Sequence, residues 1–89
     1  MIATPTAAFA SASSLNGRIA ARVRALMAAR RVTNKNLADC LHLSPRAATR
    51  RRLGEYPFSI AEVEKVAALL KVDPQVILSG RDFEMELAS

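Results

Sequence analysis

Eighty-nine residues hold one domain at most. About half of them are apolar, mostly Ala, Leu, Val and Ile with only three glycines, which favours packed helices over sheet. The lone Cys40 excludes an internal disulfide framework and fits a reducing, cytoplasmic setting, and one Cys with one His cannot assemble a metal site. The net charge of +5 is unevenly placed: Arg18 to Arg52 carries ten basic residues against Asp39 alone, whereas Leu53 to Ser89 carries three basic and seven acidic ones. One half is therefore suited to a polyanion and the other is not. No bulky aromatic stripe accompanies the arginines, so a membrane surface is the poorer partner, and nothing implies a cofactor or small-molecule ligand.

Met1 to Ser14 is rich in Ala, Ser and Thr, lacks charge, and has neither the basic start nor the apolar run of a secretory signal. It reads as a disordered arm over residues 1–14. Leu15, Ile19, Val23, Leu26 and Met27 then follow helical spacing. Ser13 or Ser14 can cap this first helix, and Arg30 and Arg31 suit its C-terminal dipole. A second helix starts at Thr33, whose hydroxyl caps free amides, and buries Leu37, Ala38 and Leu41. The turn His42-Leu43-Ser44 leads into Ser44-Pro45, a capping hydroxyl followed by proline at the first helical position. A third helix runs from there to about Leu53 and is stopped by Gly54.

After Pro57, Ser59-Ile60-Ala61-Glu62 forms a capping box, with Phe58 placed to staple onto Val63. Ile60, Val63, Val66, Ala67 and Leu70 form the core face expected of the fourth helix. Asp73-Pro74 starts a short fifth helix with Val76, Ile77 and Leu78, ended by Gly80. In the tail, residues 81–89, Phe83, Met85 and Leu87 alternate with acids as in a strand, yet Phe83 and Leu87 also match a helical step.

The segment from Thr33 to Gly54 thus combines two short helices, a tight turn and an arginine-rich second helix, a shape the DNA major groove accepts. Neighbours on a helix point about 100° apart, so Arg50, Arg51 and Arg52 cannot all face one groove. Thr33-Asn34-x-x-Leu37-Ala38, the Leu43-Ser44 turn, the Arg50…Gly54 exit and Ser59-x-x-Glu62 resemble the Cro/repressor (XRE-type) helix-turn-helix family over roughly residues 15–79. The resemblance implies an all-α, five-helix DNA-binding domain over residues 15–80 in which the third helix reads bases. It places Arg46, Ala47 and Arg50 at base edges, and Asn34, where the family usually has Gln, as the buttress of that helix. His42 stands where the family favours glycine, so either it adopts a left-handed conformation or the turn is altered. Arg51 occupies an apolar position of the pattern: it buries its stem and sends its head to phosphate, or Leu53 packs there and the helix end is irregular.

These readings give a DNA-contacting set of Asn34, Lys35, Ser44, Pro45, Arg46, Ala47, Thr49, Arg50, Arg51, Arg52 and Tyr56, with Arg18 and Arg22 added as phosphate ligands. Tyr56 either donates its hydroxyl to a phosphate or lies over the core. Val76, Ile77, Phe83, Met85 and Leu87 exceed what so small a core easily buries and are expected to form a homodimer contact. The expected protein is a non-enzymatic, sequence-specific repressor of double-stranded DNA operators, like the small Cro-like proteins of phages. An antitoxin whose tail binds a toxin, or a protein-interaction module on the same fold, are the other readings.

Overall fold

A computed structural model describes residues 14–89, and within them every regular element is helical. Six helices follow in order: α1 (Leu15–Arg30), α2 (Asn34–Leu41), α3 (Pro45–Arg52), α4 (Ile60–Leu70), α5 (Pro74–Leu78) and α6 (Phe83–Ala88). The disordered arm expected over residues 1–14 falls, Ser14 apart, outside the described residues.

Five of the six helices begin where a short polar side chain satisfies their free amides; α6, whose N-cap Asp82 makes no such bond, is the exception. Ser14 Oγ accepts from Gly17 N–H at 3.0 Å, and Ser44 Oγ from Ala47 N–H at 3.1 Å with Pro45 behind it. Asp73 Oδ1 accepts from Gln75 N–H at 2.8 Å. Thr33 and Asn36 exchange reciprocal bonds at 3.1 Å, a capping box that the sequence reading had missed. Ser59 and Glu62 form the expected one. His42 closes α2 in the left-handed conformation, φ 56°, so the turn to α3 is kept rather than altered. Gly54, φ 81°, ends α3 as expected.

α1 lies across α3, α4, α5 and α6, while α2 packs on both α3 and α4. Val23, Leu26, Leu37, Ala48, Val63, Val66, Leu70 and Ile77 are almost wholly buried between them. Two apolar residues depart from the expected pattern, and a third settles an alternative. Leu15 and Ile60 are 55% and 66% exposed. Each is the first residue of its helix, and because helical side chains lean toward the N-terminus it projects past the packed face. Leu53 is 42% exposed, so it does not fill the apolar position of α3.

The tail resolves into α6, making six helices rather than five and removing the strand alternative. With no strand among the described residues to pair with, an extended tail would leave its backbone unsatisfied, whereas a helix bonds itself. Phe83 and Leu87, one turn apart, are half-buried against the core, and Arg30 of α1 holds Glu86 through both its carbonyl (3.0 Å) and its carboxylate (2.9 Å). Two residues of the expected dimer contact, Val76 and Ile77, lie inside the fold, 3% and 0% exposed and packed between α5, α1 and α4. Of that set only Met85, 71% exposed, faces solvent fully.

Candidate nucleic-acid interface

α3 carries Pro45-Arg46-Ala47-Ala48-Thr49-Arg50-Arg51-Arg52, and only Ala48 is buried. That methyl is small enough to bring α3 close to α2 and α1. The remaining positions divide around the helix as its period requires. Ser44, Pro45, Arg46 and Arg50 are exposed, and Ala47 and Thr49 are half-buried. Arg46 and Arg50 lie one turn apart on one face, and neither guanidinium makes a hydrogen bond or ion pair within the described residues. The guanidinium carbon of Arg50 lies 6.0 Å from the centre of the Tyr56 ring.

The three consecutive arginines are sorted by their acceptors. Arg51 turns toward α4, where its Nε donates to Glu62 Oε1 at 3.1 Å, and its guanidinium lies 4.6 Å from the Tyr56 ring centre. Its side chain is only 16% exposed, so the apolar position of the pattern is filled by an arginine stem whose head goes to protein. Arg52 turns the other way, and its Nε donates to Asn34 Oδ1 at 3.2 Å. The Asn34 Nδ2 in turn donates to Pro45 O at 3.1 Å. One amide thereby ties the start of α2 to both ends of α3, a buttress made through protein contacts.

Basic residues elsewhere in this half are also drawn inward. Arg22, expected on phosphate, donates instead to Ile77 O (2.7 Å) and Leu78 O (3.3 Å). Those are the C-terminal carbonyls of α5, which a helix leaves without partners. Arg24 donates to Arg52 O at 2.8 Å and Asn16 to Gly54 O at 3.2 Å, so α1 caps the C-terminal end of α3. The sequence leaves Arg24, off the apolar stripe of α1, to solvent or phosphate and does not single out Asn16; the signal was polar residues at 16 and 24, two turns apart on α1. Arg18 and Arg31 are exposed. Lys35 reaches Asp39 at 3.1 Å, but with the two side chains 80% and 66% exposed the pair holds it weakly. Tyr56 is 48% exposed; Phe58, not Tyr56, is the loop aromatic that enters the core.

Cys40 is half-buried with its Sγ 3.5 Å from Lys65 O. Among the described residues no cluster of His, Cys, Asp and Glu could hold a metal ion, and no helix is long and apolar enough to cross a membrane.

Fold and surface define a small all-helical domain whose arginine-bearing helix α3 lies open on one side. The BetR domain family matches residues 13–85, and the chain belongs to that family. No curated protein and no solved structure matches it. The match covers α1 to α5 and the start of α6, and a regulatory DNA-binding role is in keeping with it.

Proposed function

We propose that this BetR-domain protein is a sequence-specific regulator that binds double-stranded DNA through a helix-turn-helix made of α2 and α3. The observation that carries the reading is the division of arginines on α3. Arg51 and Arg52 are tied to protein acceptors, while Arg46 and Arg50 project together from the face opposite Ala48, with no hydrogen bond or ion pair to their guanidiniums among the described residues. Arginine presents a planar fork that matches the two acceptors of a guanine edge in the major groove. Lys35 and the amide end of α2 supply phosphate contacts that set the docking angle. Bound across a promoter, the protein excludes polymerase and acts as a repressor, in the manner of the Cro-like proteins its motifs resemble.

An eight-residue helix reads only a few base pairs, so two copies on an inverted repeat provide the selectivity. The test is selection from a randomised duplex of about 30 base pairs, long enough for two half-sites one helical turn apart. Enrichment of an inverted repeat supports a paired reader, and a single half-site supports a monomeric one. No enrichment at moderate salt refutes sequence reading altogether.

A further inference from the structure

Glu62 is the meeting point of two contacts with different purposes. Its Oε1 accepts from the Ser59 backbone N–H at 2.9 Å, completing the capping box of α4. The same oxygen accepts from Arg51 Nε at 3.1 Å, and the two side chains are 16% and 18% exposed. The Tyr56 ring covers the guanidinium from the side, 4.6 Å away, and Arg51 Nη1 also reaches Ala47 O of its own helix at 3.4 Å. Arg51 is therefore enclosed by a carboxylate, an aromatic face and a carbonyl, directly beside two arginines that point elsewhere. A capping box alone needs no arginine, and α3 needs no charge at this position to pack.

We infer that Glu62 is a specificity-determining residue of the DNA reading proposed above: it holds Arg51 off the phosphates, so that α3 meets DNA through Arg46 and Arg50 and gains less from random sequence. The physical reason is that phosphate contacts are sequence-blind. Each added one raises affinity for all DNA alike and erodes the ratio between operator and random sites. A run of three arginines on an exposed helix is prone to this. Neutralising the middle one with an internal carboxylate suppresses it while leaving Arg50, its neighbour, outward.

The experiment uses the full chain with a selected operator duplex and a random duplex, titrated over a series of salt concentrations. Glu62→Gln keeps an acceptor for Ser59 N–H, since glutamine serves in a capping box, but removes the charge that holds Arg51. Its expected result is a salt slope on random DNA steeper by about 0.9, the value of one added phosphate contact. The operator-to-random ratio falls as a consequence. Adding Arg51→Met, which keeps the stem and removes the guanidinium, returns the slope to that of the wild type. Arg51→Met by itself leaves the slope unchanged, and this measurement stands even where Glu62→Gln does not fold. A flatter slope for Arg51→Met alone shows Arg51 already on phosphate and overturns the inference, as does an unchanged slope for a folded Glu62→Gln. Wild-type protein without salt-dependent DNA binding refutes the DNA reading itself, a distinct outcome.

Discussion

Replacing Arg22 by methionine separates the two roles open to an arginine in this half of the chain. Its Nη1 donates to Ile77 O at 2.7 Å and to Leu78 O at 3.3 Å, closing the end of α5 onto α1. A bond from a charged donor contributes about 1.5–3 kcal/mol net, and the longer contact adds little to it. Methionine retains the packing of the stem, so the loss is that of the bond, about 2 kcal/mol. A domain this size loses about 4–8 °C of melting temperature per kcal/mol, so the midpoint should fall by roughly 10 °C. Thermal melting followed by circular dichroism measures that fall, and anisotropy titrations of a duplex at several salt concentrations measure phosphate contacts. The expected pair of results is a lowered melting temperature with an unchanged salt slope. An unchanged midpoint together with a slope flatter by about 0.9 would falsify the structural role and restore Arg22 as a phosphate ligand.

Arg46→Ala and Arg50→Ala should each cost about 1–3 kcal/mol on the selected operator and relax base preference, whereas Lys35→Ala should weaken every sequence alike; competition with random duplex distinguishes the two patterns. Gly80→Ala should destabilise the fold, because φ is +82° and a Cβ would sit 3.0 Å from Arg22 Nη2; its cost in denaturant melts should shrink in an Arg22→Met background, where that neighbour is gone. His42→Gly should raise stability by up to about 1 kcal/mol in the same assay, since φ 56° strains any side chain but glycine's own entropy offsets part of the relief. Ile77→Ala should cost about 2–5 kcal/mol by opening a cavity, and sedimentation should show no change of oligomeric state, since the side chain is wholly buried within one chain.

Helix starts were legible because caps are local. Ser44-Pro45, Ser59…Glu62 and Asp73-Pro74 announce themselves within four residues, and each heads the helix it was expected to head. The core followed from helical spacing, except at Leu15 and Ile60, where pattern alone does not tell a first-turn residue from an interior one. The tail was ambiguous because an alternating run and an i, i+4 step coexist in it, and only the absence of a pairing strand among the described residues decides between them. The destinations of the arginines were not legible. Arg22 meets its acceptors 55 and 56 residues away, and Arg24 meets its own 28 residues away, distances over which spacing carries no information. Arg51 came nearest to being read: a charged residue in an apolar position implies a buried stem, but locating its carboxylate partner required knowing that α4 starts beside α3.

Fixing an arginine internally does not remove its charge from the surface potential. Arg22, Arg24 and Arg52 donate to carbonyl or amide oxygens, which carry no net charge, so each still contributes a full positive charge to the field of this half. Arg30, Arg51 and Lys35, by contrast, are matched by carboxylates. Long-range attraction depends on the summed charge and reaches about 10 Å at 0.1 M salt, whereas base reading depends on forks free to meet an edge. Under the DNA-binding reading the two needs fall on different residues. Arginines that knit helix ends together also draw the polyanion in, and the unpaired Arg46 and Arg50 do the discriminating. The basic half can therefore be rich in arginine without becoming indiscriminate, provided the surplus guanidiniums are held where phosphates do not reach them.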